Sequence, residues 1–439
     1  MHYDLIIRHG TCVFPWGEAQ ADLGVKDGRI ASLTVTSHDS AAQEIDAKGL
    51  HVLPGMIDSH VHLRDPGNAA IESIATGTRA AALGGITMVF DMPNTSPSIT
   101  SAETIADKRR TVAENALIDM GLYVGATRAN TPQLAGLEQE EGICAIKVFA
   151  GSSTGDLMIE DDEGIEAVLR SGHRRVAFHS EDEYRLQARK PLFETGMAHV
   201  NHMIWRDEEC AFLGTRRITA LARKTGRPVH ILHTSTAEEL DWLAAHRSHV
   251  SVEVLVNHLT QVGPDCYETL GAYAVMNPPI RDQRHYDACW AAVRDGRVDV
   301  VSSDHAPHPR EAKEKPWPQC PAGLTGVQTI LPVMLDHVHA GRLSLTRLVD
   351  LMAAGPARIY GLQTKGRLAV GFDADFTLVD LKAQREIRND WIASPVGWTP
   401  FDGKRVTGWP VGTIVRGTIV MRDDEIVSKP IGRLARFAP

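Results

Sequence analysis

Eight short apolar runs, separated by helix-like stretches, leave this chain few architectures. They read HVLPGMIDSH, ITMVFDM, LIDMGLYVG, ICAIKVFA, RRVAFHS, RPVHILH, VSVEVLV and VDVVSSD. Helical patterns fall between several of them, over Ile71–Leu83 and Asp207–Thr225 for example. Strand–helix alternation of this kind builds parallel βα units. Eight units over about 300 residues predict an α/β fold, a (β/α)8 TIM-type barrel with insertions. A doubly wound open sheet is the competing architecture, but no GxGxxG follows the first strand.

The two ends read differently from the middle. YDLIIRHGTCVF and ADLGVKDGRIASLTV make a strand-rich start, with Asp27-Gly28 as a hairpin turn. GRLAVGFDADFTLVDL and TGWPVGTIVRGTIVMRDDEIV repeat that character at the other end. We therefore expect a small β-sandwich-like domain assembled from residues 1–52 and 366–439, flanking a barrel over 53–365. A length of 439 residues suits that pairing.

The net charge of −9 gives no global attraction to nucleic acid or anionic membrane, so an anionic substrate needs a local cationic pocket. No run of about 18 apolar residues suggests a membrane span. The start, MHYDLIIRHG, lacks the basic region and long apolar core of a secretory signal. Six cysteines (Cys12, Cys144, Cys210, Cys266, Cys289, Cys320) show no paired spacing. Reduced thiols in a cytoplasmic protein are expected, not a disulfide framework or a cysteine zinc site.

The stretch PGMIDSHVHLRDPG carries the strongest chemical signal. His60 and His62 are two apart at a strand end, so they share a face and can reach one centre. Candidate ligands recur at other strand ends, where barrel enzymes keep their active sites. Lys147 lies in IKVFAG, His179 in VAFHSEDE, His233 in VHILHTST and Asp304 in VVSSDHAPH. Histidine with carboxylate suits zinc and similar divalent ions. Among 20 histidines, any single one at a strand end has an ordinary hydrogen-bonded explanation. For Lys147, spacing alone favours a strand-end lysine reaching for solvent. The joint pattern on separate strands is what points to metal.

That pattern resembles the amidohydrolase superfamily over nearly the whole chain, and within it the longer, two-domain bacterial dihydroorotases. The resemblance implies a carboxylated Lys147 bridging two zinc ions. His60, His62 and Asp304 would hold the more buried ion, and His179 and His233 the other, with Asp304 also catalytic. It further implies substrate contacts from Arg64 in HVHLRDPG, Asn94 in MPNT, Asn277 in NPPIR and His308 in SDHAPH. The implied reaction interconverts L-dihydroorotate and N-carbamoyl-L-aspartate, the third step of pyrimidine ring synthesis, in a cytoplasmic homodimer.

Hydantoinases, dihydropyrimidinases and allantoinases are similar in their metal set but generally lack the arginine–asparagine pair. They remain the alternatives, with a non-catalytic scaffold behind them. Arg64 also has a bland reading, an ion pair with Asp65 or Glu181, and Asn94 one as a turn cap. Two motifs depart from the family pattern: VNHLT after the seventh strand, and Gln328 in CPAGLTGVQT. The irregular segment from Pro307 to Gly326 reads equally as a lid or a mobile surface loop, and Ala322 and Gly323 there are candidate backbone contacts to substrate.

Overall fold

Eight parallel strands lie side by side in chain order: β1 (Met56–Val61), β2 (Ile86–Asp91), β3 (Asp119–Gly125), β4 (Ile143–Phe149), β5 (Val176–His179), β6 (Val229–Ile231), β7 (Val250–Leu255) and β8 (Val300–Ser302). This computed structural model describes residues 1–151, 157–196 and 198–438. Every residue of the eight strands is buried, which is why each run is almost continuously apolar. A bridge between Val61 and His305 joins the first strand to the eighth, and the His62 N–H donates to the His305 carbonyl at 2.7 Å. The sheet is thereby a barrel, as the alternation predicts.

The helices begin where local chemistry starts them. Ser73 and Thr76 form a capping box ahead of Ile74–Leu83, so this helix opens three residues later than its apolar pattern. The Asp207 side chain caps Glu208–Thr225 through the Cys210 N–H, and Gly226 closes that helix at φ 73°. Among the described residues no helix is long and apolar enough to cross a membrane. All six cysteines are buried and unpaired.

A nine-stranded sheet is built from both ends of the chain. Its seam is His51–Pro54, which runs parallel to His2–Phe14 and antiparallel to Phe376–Glu386. The Asp27-Gly28 turn, at φ 52° and 73°, joins Gly17–Lys26 to Arg29–Ser32 as the sequence suggests. Two expectations change. HVLPGMIDSH is not one strand but two, parted at Gly55, whose N–H donates to Asp375. A Cβ there would fall 2.3 Å from Thr87 Oγ1, so only glycine lets the chain cross between the two sheets. GRLAV belongs to no strand; the ladder begins at Phe376.

The two sheets are tied by a buried ion cluster. Lys365 Nζ lies 2.8 Å from Asp119 at the start of β3, and 3.1 and 2.5 Å from Asp373 and Asp375 beside the terminal sheet. Three converging carboxylates suggest a cation site, but the Lys365 ammonium already fills it. This cluster sits at the N-terminal mouth of the barrel, leaving the C-terminal mouth for chemistry.

Candidate metal centre

The C-terminal ends of the strands surround a cavity of about 270 Å³. Its wall contains His60, His62, Lys147, His179, His233 and Asp304, together with Arg64, Asn94, Asn277, His308, Ala322 and Gly323. Residues as far apart as 60 and 323 are thus brought to one space. Phe149 and Ala306 also line it. Phe149 ends β4 two residues beyond Lys147, and its ring centre lies 4.5 Å from Lys147 Nζ.

The ligand atoms converge tightly. Asp304 Oδ1 is 3.2 Å from His60 Nε2 and 3.0 Å from His62 Nε2. Ligand atoms of His60, His233 and Asp304 all lie within 4.8 Å of one another. The His233 ring centre is 5.5 Å from that of His60 and 4.6 Å from that of His179. His233 and Asp304 hold φ 39° and 50°, a left-handed backbone that costs about 1–3 kcal/mol per residue and is kept where function demands it.

The outer nitrogens indicate which face each imidazole turns inward. His60 Nδ1 meets Glu253 Oε1 at 2.8 Å, His62 Nδ1 meets Asn94 Oδ1 at 2.7 Å, and His179 Nε2 meets Glu181 Oε2 at 2.8 Å. Each acceptor keeps a proton on the outer nitrogen and leaves the inner lone pair for a cation. His233 Nδ1 is buried with no hydrogen-bond partner among the described residues, a loss of about 1–3 kcal/mol unless a ligand takes it up. This donor set fits divalent cations of the zinc type.

The electrostatics agree. Burial pushes His62 down to about 4 and His179 and His233 downward, so these rings are neutral, the form that ligates metal. For His60, burial is outweighed by Asp304 and Glu253, and its pKa rises. Burial works against the Asp304 carboxylate, yet His60 and His62 hold its pKa well below the usual value. Burial also brings Lys147 down to about 7, against the pull of Asp304 and Glu253.

Several supporting residues escaped the sequence reading. Glu253 Oε1 accepts from His60 Nδ1 and from the His233 N–H at 3.0 Å, so one carboxylate sets two ligands. A charged residue inside VSVEVLV was its available signal. Glu253→Gln keeps the acceptor but removes the charge, and metal affinity should fall about tenfold or more while the fold persists. Chelator competition on the purified variant measures this; unchanged affinity would refute the assignment. Arg206 Nε donates to Glu181 Oε1 at 3.1 Å, fixing the carboxylate that orients His179. His202 Nε2 lies 2.9 Å from both the Met276 carbonyl and Asn277 Oδ1, and so orients Asn277.

Of the two departures from the family pattern, Gln328 is a support, whereas the Asn257 side chain of VNHLT is buried with no hydrogen-bond partner among the described residues. His258 Nε2 contacts the Pro278 and Pro279 carbonyls at 3.3 and 3.2 Å, bracing the Asn277 loop. Gln328 bonds the backbone of Trp391 and Ala393. The segment from Pro307 to Gly326 is a folded wall. Its short helix Arg310–Lys313 buries Lys313, whose Nζ donates to the carbonyls of Val275 and Pro321 at 3.1 and 2.9 Å. His308 Nε2 meets the Ala322 carbonyl at 3.0 Å, and the Gly323 N–H donates to Val275.

Arg64 makes neither of the ion pairs its bland reading allows. Glu181 is engaged by His179 and Arg206, and Asp65 accepts from the Ile74 N–H. Arg64 Nε and Nη2 donate to the Pro307 carbonyl at 3.3 and 3.2 Å. Among the described residues no carboxylate lies within 4.0 Å of its guanidinium.

Known proteins resemble this chain along nearly its whole length. A dihydroorotase of Halobacterium salinarum is 35% identical over 426 residues, covering 94% of this chain and 99% of the relative. An allantoinase of Deinococcus radiodurans is 35% identical over 452 residues, covering 99% of each. Among solved structures, the L-hydantoinase (dihydropyrimidinase) of Arthrobacter aurescens superimposes with a TM-score of 0.95 at 29% identity, covering 99% of both chains. All three are named for opening cyclic amides, and the resemblance to dihydroorotases read from the motifs stands beside them. The Amidohydrolase family model matches residues 51–420, from the seam of the terminal sheet through the whole barrel, and it is to this family that the chain belongs.

Proposed function

We propose that this enzyme is a dihydroorotase, hydrolysing L-dihydroorotate to N-carbamoyl-L-aspartate and closing the ring in reverse. The observation that carries the reading is Arg64: a guanidinium in the cavity wall beside the metal set, with no carboxylate within 4.0 Å among the described residues. A half-buried cation calls for a counter-charge, and a planar carboxylate matches its fork. Dihydroorotate brings such a group on its ring. Hydantoin and dihydrouracil do not, and allantoin carries an uncharged ureido arm.

His60, His62 and Asp304 would hold one divalent ion, His179 and His233 a second, and the carbamate of Lys147 both. A bound pair of this kind supplies an acidified water and draws electrons from the scissile carbonyl. The chain's own residues do the rest. Arg64 and Asn94 fix the substrate's anionic edge, with Asn277 and His308 across the cavity, removing orientational freedom before bond making. Asp304 takes a proton from the attacking water and returns it to the departing amide nitrogen.

Lys147 must lose its proton before it can add to carbon dioxide. Burial brings its pKa to about 7, so the reactive amine prevails above that pH and the inert ammonium below it. Carbamate formed from 13C-bicarbonate should therefore decline as pH falls through about 7 in metal-free protein, and carbon NMR reads it directly. Labelling that is flat from pH 8 to 5.5 would contradict the mechanism.

Allantoinase is the second reading, supported by the Deinococcus radiodurans relative. A steady-state panel of dihydroorotate, dihydrouracil, hydantoin and allantoin, with metal measured on the same sample, separates the two. Dihydroorotate should give the highest kcat/KM; faster turnover of allantoin or hydantoin would overturn the first reading.

A further inference from the structure

The helix Ala102–Asn115 packs Ile105 and Val112 inward, and with them Lys108. Lys108 is only 1% exposed, an expensive place for an ammonium. Its Nζ lies 2.5 Å from Asp91 Oδ2 and also bonds the Asp65 carbonyl. Asp91 ends β2, and its other oxygen accepts from the Leu63 N–H at 2.8 Å. Lys108 and Asp91 therefore grip the backbone on both sides of Arg64.

Three carboxylate residues neighbour Arg64: Asp91, which holds the Leu63 N–H one residue before it, Glu72, whose carbonyl accepts the Arg64 N–H at 2.8 Å, and Asp304, which shares its cavity wall. Asp304 faces His60 and His62. Glu72 is taken by His305 Nε2 at 3.2 Å and by the hydroxyls of Thr76 and Ser394. Asp91 is taken by Lys108. Without that ammonium, Asp91 would be a buried anion next to a half-buried cation, and the pair would close.

We infer that Lys108 is a positioning residue that keeps Asp91 away from Arg64, so that the guanidinium stays available to an anionic substrate. The identity of that anion rests on the dihydroorotase reading; the competition between Lys108 and Arg64 for Asp91 does not.

The test compares wild type, Lys108→Met and the double variant Lys108→Met with Asp91→Asn, each loaded with metal. Crystal structures give the Arg64–Asp91 distance. Kinetics on dihydroorotate and on uncharged dihydrouracil separate KM from kcat. In Lys108→Met, Arg64 should close to within ion-pair range of Asp91. KM for dihydroorotate should rise about 10- to 100-fold, with kcat and metal content within about threefold and dihydrouracil unaffected. The double variant removes the competing anion and should return KM to within about threefold of wild type.

An unpaired Arg64 in Lys108→Met with unchanged KM would overturn the inference. So would an equal loss on both substrates, or a raised KM that persists in the double variant, since each would mean that Lys108 acts through packing alone. If Lys108→Met fails to fold, the double variant alone decides by its KM. If wild type does not turn over dihydroorotate, the substrate reading falls, and the Arg64–Asp91 distance in the single variant still judges Lys108.

Discussion

Asp304→Asn should leave a folded chain whose kcat is lower by about 10³-fold or more, the scale of a lost general acid–base group. The substitution keeps the size of the side chain and an oxygen near His60 and His62, so the cavity retains its shape. It removes the negative charge that takes the water's proton. Asparagine cannot carry a proton to the leaving nitrogen. The metal-free protein offers a second readout. His60 and His62 hold the Asp304 carboxyl below its ordinary 3.8, so its stabilisation is full above that pH and lost as pH falls through the lower, folded value. The variant should lack this contribution at neutral pH, and its acid unfolding should be less steep. Near-normal turnover would remove Asp304 from the proton path; circular dichroism on the same sample excludes misfolding as the cause of a loss.

What could be read in advance followed from periodicity and from strand ends. A buried parallel strand is apolar on both faces, so the eight runs stood out whatever their neighbours. A ligand at a strand's C-terminal end is fixed by barrel topology, and His60, His62, His179, His233 and Asp304 needed no knowledge of side-chain packing to be aligned. The parts that were not legible depend on contacts between distant segments. The break at Gly55 arises because Thr87 and Asp375 crowd that position, and neither is near it in sequence. Glu253 looked like one charge in an apolar run until β7 was set beside β6, with β1 facing it inside the barrel. Lys108 sits among the many charges of AETIADKRRTVAEN, and a helix pattern cannot reveal that the Asp65 turn and the Asp91 end of β2 lie beneath it. The polar residues that orient other polar residues are chosen by three-dimensional neighbours, and composition has no signal for them.

Arg64→Met separates recognition from chemistry more sharply than any ligand substitution. Methionine fills much of the space of the arginine stem, and among the described residues the Arg64 guanidinium hydrogen-bonds none of the metal set; its partner is the Pro307 carbonyl. Metal content should therefore stay at the wild-type level. What disappears is a charged, forked donor facing the cavity. A desolvated hydrogen-bonded charge pair is worth about 2–5 kcal/mol when one member is removed, or about 30- to 5,000-fold in kcat/KM. That loss should fall on dihydroorotate, because its carboxylate would enter the cavity with no counter-charge. An uncharged ring amide such as dihydrouracil never makes the contact, and its kcat/KM should move by less than about threefold. The ratio between the two substrates is the measurement, because any general damage to the barrel lowers both and cancels. Equal losses would make Arg64 a structural residue and return the allantoinase and hydantoinase readings to equal standing. A collapse confined to the anionic substrate would tie the choice of substrate to one side chain, two residues beyond the His60–His62 pair.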